Sequence, residues 1–283
     1  MNMERPTTMN DQIVLSLFPG IDLLGRGFEL EGFCIVRGPD LIFGGDVRMF
    51  HVPHARFDGV IAGTPCQDFS KARRTPPTGY GDEMLSEFSR LVTEAQPTWF
   101  LLENVPTVPN VHIDGYTIQR LDLNARECGA AQRRPRHFQF GSLTGLVIVP
   151  ARATSNGTRS QQTAMASEGH KATRRGWPEF CELQGLPHNF DLPGMTRAAK
   201  YAAVGNGVHI AVARTLARAI VEALTRTEPI HICGCNCGRI VAGRQTYANA
   251  ACRKRMQRRR ERDESKMPIR YSITEIEAQR PEG

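Results

Sequence analysis

The stretch Phe57-Asp58-Gly59-Val60-Ile61-Ala62-Gly63-Thr64-Pro65-Cys66-Gln67-Asp68-Phe69-Ser70 decides how this chain reads. Its first half is an apolar run of strand length, and its second half is a polar turn held by Pro65. Cys66 therefore stands just past the carboxyl end of a buried strand, where open α/β sheets hold their ligands. A lone cysteine there is usually a small buried hydrophobe. The neighbours of Cys66 in the rest of the sequence point instead to a nucleophile.

Outward from this stretch, the amino-terminal half alternates apolar runs with helix-like patterns. Residues 13–18, 33–36, 57–62 and 99–102 are the apolar runs, whereas residues 23–30 and 84–93 carry amphipathic spacing. A glycine turn, Phe18-Pro19-Gly20, follows the first run. This alternation predicts a mainly parallel α/β sheet with its ligands at the carboxyl ends of the strands. Residues 151–176 are rich in Thr, Ser, Ala, Gly, Arg and Lys, with Met165 as their one large aliphatic exception, and read as a loop-rich insertion. Ile210, Ala213, Ala217, Ile220 and Leu224 then recur at helical spacing, which predicts a helix returning the chain to the core.

Two further strand-like runs carry chemistry. Trp99-Phe100-Leu101-Leu102 ends in Glu103-Asn104-Val105, and Gln132-Arg133-Arg134-Pro135-Arg136 leads into His137-Phe138-Gln139-Phe140-Gly141. A thiol, a carboxylate and a guanidinium pair thus lie at the ends of three runs. Alone, Glu103 would read as a helix cap or a solvated acid. Arg134 and Arg136, two residues apart on a strand, are expected to share a face, with Arg133 on the other.

The chain has 283 residues, enough for one large domain with a small appendage, and 40% of them are hydrophobic. No apolar stretch approaches the roughly 18 residues of a membrane span. Residues 1–12 are polar and lack the apolar core of a secretion signal, so the expectation is a soluble cytoplasmic protein with no membrane partner. Of the net charge of +7, residues 253–262 supply seven basic side chains against one acid, which leaves the remainder almost neutral. Of the eight cysteines, Cys34, Cys66, Cys128 and Cys181 are scattered and Cys233, Cys235, Cys237 and Cys252 crowd together. That distribution suits a reactive thiol plus a metal cluster in a reducing compartment better than a disulfide framework.

In this order and combination the blocks resemble the DNA cytosine-C5 methyltransferases. The carrying motifs are Phe18-Pro19-Gly20, Pro65-Cys66-Gln67, Glu103-Asn104-Val105, the Gln-x-Arg-x-Arg of residues 132–136, Leu183-Gln184-Gly185-Leu186-Pro187 and Gly205-Asn206-Gly207-Val208. Together they span residues 13–224. Any one block is weak evidence, and six in sequence are specific. The resemblance implies a Rossmann-like sheet that uses S-adenosyl-L-methionine, and a bacterial or phage enzyme acting as a monomer on double-stranded DNA.

Residue by residue, the resemblance makes Cys66 the nucleophile that adds to C6 of cytosine, raising C5 to an enamine able to take a methyl group. An unperturbed thiol has a pKa of about 8.5, so the site is expected to supply positive potential or a helix amino terminus that lowers it. Glu103 is expected at N3 and the exocyclic amine, Arg136 at O2, and Arg134 as organiser of Cys66 and Glu103. For the methyl donor, Phe18 and Gly20 form the adenine turn, Asp40 is the ribose diol ligand and Asp46 accepts the adenine amine, with Pro65, Leu85 and Asn206 lining the pocket. Two positions depart from the family pattern: Asp22 replaces a second glycine, and Ser16 replaces an acid that contacts the methionine portion, for which Asp22 is the stand-in. Gln67, Ser70, Arg73 and Arg74 are assigned to DNA, on a loop over residues 71–82 that reads as a lid closing on a flipped base.

The expected organisation is a catalytic and cofactor-binding domain at 11–141, a short target-recognition region at 142–176, a return to the catalytic domain at 177–227, a Cys-rich basic module at 228–265 and a tail at 266–283. So short a recognition region predicts a short or degenerate target. Cys233, Cys235, Cys237 and Cys252 are similar to the ligands of small zinc-binding modules, although their Cys-x-Cys-x-Cys spacing is tight, Ala248 stands where such modules often have a cysteine, and His231 is a spare ligand. Two alternatives remain at this point: an RNA cytosine-C5 methyltransferase, and a catalytically inactive DNA-binding protein.

Overall fold

The computed structural model describes residues 11–264, apart from 71, 72, 74, 154–160, 227–229, 236, 238 and 244. These residues fall into two compact units, divided after Thr227.

The first unit is built on a six-stranded sheet. Its strands are β1 (Ile13–Leu17), β2 (Cys34–Arg37), β3 (Gly59–Gly63), β4 (Trp99–Asn104), β5 (Thr117–Asn124) and β6 (Pro135–Ser142). Their spatial order is β2-β1-β3-β4-β6-β5. β2, β1, β3 and β4 run parallel, and β6 runs antiparallel to both β4 and β5. Strand order reverses between β1 and β3, so the carboxyl ends of these two strands open a crevice, the expected ligand position in such sheets.

The parallel strands read as continuous apolar runs because both faces are covered. Val14, Ile61, Leu101 and Phe138 point to one face, where α1 (Leu23–Glu29) and α5 (Ile210–Thr225) bring Leu24, Phe28, Val212, Leu216 and Ile220. The alternate residues Leu15, Val60, Phe100 and Leu102 point to the other, against Met84, Phe88, Leu91 and Val92 of α2 (Tyr80–Ala95). At the sheet centre the Trp99 ring stacks between Phe28 and Phe140, each 6.3 Å away centre to centre. Gly59, opposite Trp99 in the register, makes room for it: a Cβ there would lie 2.2 Å from the indole.

The helix read at 84–93 starts earlier, behind Gly79, and carries Asp82 and Glu83 in its first turn, where they complement the helix dipole. Pro97 lies beyond its end at Gln96. Between α2 and α5 the chain adds α3 (Trp177–Leu183) and α4 (Arg197–Asn206). They pack around Phe180, Leu183, Leu186, Tyr201 and Val204.

The second unit contains the hairpin of β7 (Ile230–Ile232) and β8 (Ile240–Ala242) and the helix α6 (Ala250–Glu264). Its small core consists of Cys233, Cys235, Cys252 and Val241 with Cys237, Tyr247, Ala248 and Met256 against them. The expected tail at 266–283 lies outside the described residues. Among the described residues, no helix is long and apolar enough to cross a membrane.

Candidate active site

A cleft of about 260 Å3 opens at the switch point between β1 and β3. Cys66, Glu103 and Arg136 line it together, although they come from the ends of three different strands. Cys66 precedes a single 3-10 turn, Gln67–Phe69, and its backbone sits at φ −100, ψ 0. Glu103 closes β4 opposite Gly63 of β3. Its Oε1 lies 2.9 Å from Nε of Arg136, and both side chains are largely buried. The turn carrying Cys66 is fixed from β4: Nδ2 of Asn104 donates to the carbonyl oxygen of Thr64 at 3.1 Å and to its hydroxyl at 2.9 Å. The Thr107 hydroxyl also donates to the Phe69 carbonyl.

Electrostatics here differ from the expectation of a lowered thiol pKa. Burial pushes the Cys66 thiol up and the charge of Glu103 adds to it, with Arg136 and then Arg134 only partly offsetting them. The short 3-10 turn does not reverse the balance. Burial likewise pushes the Glu103 carboxyl above its ordinary value, against the pull of Arg136 and Arg134. In this geometry the thiol is therefore protonated near neutral pH.

The cofactor side of the cleft is a strained turn. Phe18, Gly20 and Asp22 have φ of 52, 54 and 56, so three of five successive residues are left-handed, two of them without the freedom of glycine. Asp40 holds this turn: its Oδ2 accepts from the Gly20 amide at 2.8 Å while its Oδ1 caps the following 3-10 turn at Ile42. Asp22 is buried, accepts from the Ser16 hydroxyl and the Gly25 amide, both at 2.9 Å, and lies 2.9 Å from Nε of Arg37. The Asp22 carboxyl group thus lies directly beside the Ser16 side chain. Asp46 caps its own 3-10 turn and pairs with Arg48, whose hydrogen bonds hold its carboxyl below the usual range. Pro65, Asn206, Met84, Leu41 and Ile42 complete the walls. Apolar side chains near Phe18, carboxylates at 40 and 46 and a third acid at 22 fit the adenine, the diol and the cationic sulfonium end of S-adenosylmethionine.

The sequence profile of the C-5 cytosine-specific DNA methylases matches residues 44–172, a span that includes Cys66, Glu103 and Arg136. Over those residues the chain resembles this family. It is 29% identical over 182 residues to the Type II methyltransferase M.NgoPII of Neisseria gonorrhoeae, covering 52% of this chain and 53% of that protein. It is 25% identical over 191 residues to the Type II methylase M.HgiDII of Herpetosiphon aurantiacus, covering 54% of each. The chain thus spans about half the length of the curated relatives it matches. Among solved structures, the Entamoeba histolytica methyltransferase EhMeth superposes with a TM-score of 0.59 at 13% identity, over 77% of this chain and 100% of that one. S. pombe Dnmt2 methyltransferase gives 0.54 at 12%, over 77% and 100%. At such identities the likeness concerns the fold alone.

Two residues sit differently from their sequence reading. Arg134 does not share the cleft face with Arg136, because β6 begins only at Pro135. Its buried guanidinium instead donates to the carbonyl oxygens of Ala164 at 2.9 Å, Gly205 at 2.6 Å and Gly207 at 2.9 Å. It reaches Cys66 and Glu103 only as a charge through space. Leu85 faces the core against β4 and β3, and its neighbour Met84, with Tyr80, lines the cleft.

Arg73 is exposed and its guanidinium folds back onto the Asp68 carbonyl oxygen, while the Asp68 carboxylate accepts from the amides of Thr78 and Gly81 and closes the loop. Gln67 is exposed at the cleft, Ser70 follows the 3-10 turn, and Arg74 lies outside the described residues.

Sequence reasoning missed a buried polar lattice. Nε2 of Gln132 donates to the Leu183 carbonyl at 2.5 Å and to Oε1 of Gln184 at 2.6 Å, and its Oε1 accepts from the Ala164 amide. Nε2 of Gln184 donates in turn to the carbonyls of Val204 and Gly207. The side chains of Gln132 and Arg134 from one motif block and of Gln184 from a second thus bind the backbones of the second block and of the third, which contains Gly205 and Gly207. Asn104 was likewise quoted in a motif without a role. A second concavity, lined by Arg174, Arg175, Trp177, Arg197, Lys200 and Tyr201, carries a basic and aromatic surface that the sequence had not marked.

Proposed function

We propose that the chain is a DNA cytosine-C5 methyltransferase of the restriction-modification type, acting as a monomer on double-stranded DNA with S-adenosyl-L-methionine as methyl donor. The observation that carries the reading is the convergence of Cys66, Glu103 and Arg136 in one cleft whose other wall suits that donor. Bound S-adenosylmethionine supplies an electrophilic methyl group on a sulfonium. Phe18, Leu41 and Ile42 would pack its adenine, Asp40 and Asp46 would take the diol and the amine, and Asp22 would face the cationic end, with Pro65 and Asn206 as walls.

On the substrate side, a cytosine rotated out of the duplex enters between Cys66 and Arg136. The Cys66 thiol loses its proton to solvent, and its sulfur forms a bond to C6. The electron pair displaced from the C5–C6 double bond is stabilised by proton donation from Glu103 toward N3 and by Arg136 at O2, and C5 becomes the nucleophile. After methylation, C5 gives up its proton to solvent, the S–C6 bond breaks with its electron pair on sulfur, and N3 returns its proton to Glu103, restoring the ring, the thiolate and the carboxyl group. The raised carboxyl of Glu103 suits a proton donor. Gln67, Ser70, Arg73 and Arg74 face the DNA, and the basic side chains of α6 add attraction that is independent of sequence.

Methyl transfer is measured on duplex DNA and on structured RNA, with DNA carrying 5-fluorocytosine as a trap. Transfer to DNA and a covalent adduct mapped to Cys66 are expected, because fluorine at C5 blocks the release step. Cys66→Ala is expected to abolish both while retaining the fold and cofactor binding. Transfer to RNA alone would replace the substrate assignment, and full turnover by Cys66→Ala would overturn the mechanism.

A further inference from the structure

The cysteines of the second unit are brought together by elements far apart in its sequence. Cys233, Cys235 and Cys237 lie on the connection leaving β7, and Cys252 lies in the first turn of α6. All four sulfurs fall within 4.8 Å of one another. The closest pairs are Cys233 with Cys235 at 3.6 Å and Cys237 with Cys252 at 3.7 Å.

These separations have a specific meaning. A disulfide requires sulfurs about 2.05 Å apart, and all four cysteines are free. Four thiolates at the usual zinc–sulfur distance of about 2.3 Å occupy the corners of a tetrahedron whose edges are about 3.8 Å. The observed pairs match that edge, and four thiols packed merely as small hydrophobes have no reason to adopt it. We propose that Cys233, Cys235, Cys237 and Cys252 bind one zinc ion as a closed tetrathiolate site.

The surroundings suit the charge of such a site, which is two units negative. Nη1 of Arg239 lies 3.5 Å from the sulfur of Cys252, and Nη1 of Arg255 lies 3.9 Å from that of Cys235. The Ala248 amide donates to the sulfur of Cys233 at 3.2 Å. Donors aimed at the ligand atoms are the outer partners that orient and neutralise metal thiolates. Ala248, where similar modules often have a cysteine, thus contributes through its backbone.

The ion also accounts for α6. Cys252 and Met256, four residues apart, form its inward stripe, whereas Arg253, Lys254, Arg255, Gln257, Arg258 and Arg259 are exposed. A helix of this length with so little apolar surface is marginal alone. A metal–thiolate bond in its first turn anchors it in place of a hydrophobic face. With four protein ligands and no open position, the site is structural.

The test uses the full chain, purified without chelators or metal-binding tags. Elemental analysis is expected to give one zinc per chain, retained in the controls Cys34→Ser and Cys128→Ser and lost in the double variant C235S/C252S. Because that variant may unfold the unit regardless of metal, cobalt(II) is also substituted into the wild-type chain. A tetrahedral tetrathiolate then gives intense visible ligand-field bands with sulfur-to-metal charge transfer, and adding a chelator to the zinc form should expose residues 250–264 to proteolysis. A metal-free chain after anaerobic reconstitution with zinc, an octahedral cobalt spectrum, or undiminished zinc in the double variant would each overturn the proposal.

Discussion

At the scale of single residues, the cleft turns on the opposition between Cys66 and Glu103. Burial and the Glu103 charge hold the thiol up, and Arg136 pulls it down. Glu103→Gln removes the negative charge and frees Arg136, so both changes act in the same direction. The expected outcome is a lower Cys66 pKa, read as alkylation by iodoacetamide becoming fast at a lower pH than in the wild type, while methyl transfer falls by roughly 10²–10⁴ because the proton donor is gone. A reactive thiol in an inactive variant would separate the two roles of the carboxyl.

Cys66, Glu103 and Arg136 were legible in the sequence because each follows or opens an apolar run: parallel β3 and β4 deliver their carboxyl ends to one edge, and antiparallel β6 starts at that same edge. Arg134 was not, since the alternation rule applies only inside a strand and β6 begins one residue later. Leu85 failed for a related reason. One residue is about 100° of helix rotation, enough to turn a side chain from cleft to core and put Met84 in its place. The raised thiol pKa also escaped reading, because burial is a property of the folded neighbourhood.

Among elements, the buried lattice of Gln132, Arg134 and Gln184 joins the start of β6 to the segment before α3, the end of α3 and the end of α4. Arg134→Ala would leave the Ala164 and Gly205 carbonyls without this donor, each worth about 1–3 kcal/mol when buried and unmet, while the Gly207 carbonyl keeps the Gln184 amide. Allowing for partial relaxation, a loss of about 3 kcal/mol in urea unfolding is expected, with cofactor affinity less affected than stability. His209 gives the junction a pH dependence. It caps α5 by accepting the Ala211 amide at 3.0 Å, and burial, followed by the charge of Arg134, lowers its pKa to about 4 from 6.5. Above pH 6.5 the imidazole is neutral in both folded and unfolded chains. Below it the unfolded chain binds the proton first, so stability falls until about pH 4, by up to roughly 3 kcal/mol. His209→Asn keeps a capping side chain without the titration and should flatten the loss across that window. The parallel strands, α1, α2 and α5 were visible as apolar periodicity. β5 was not, because Thr117–Asn124 is a mixed polar edge strand.

For the molecule as a whole, reach limits what the chain can read in DNA. The segment between β6 and α3, proposed to read the target, offers few side chains, and two of its arginines are already engaged, Arg152 with Glu127 and Arg175 with Glu168. Each bidentate base contact discriminates by only about 1–3 kcal/mol. A target of about two to four base pairs is therefore expected, checked by bisulfite sequencing of DNA from expressing cells. Methylation confined to a fixed site of about six base pairs or longer would mean that other surfaces take part in readout.

The two ends of that region are pinned independently of what lies between them. Ala153 donates its amide to the Glu127 carbonyl at 2.7 Å, and Gln161 rejoins the fold by bridging to Gln132, with the Ala164 amide on the Gln132 side chain just beyond. The chain is thus held at 153 and at 161 by contacts that do not involve the residues between them. Foreign sequences spliced between 153 and 161 are expected to leave methyl transfer in place while changing target preference, so that the chemistry and the address can be exchanged separately; bisulfite sequencing of DNA from cells expressing the spliced chains reads both.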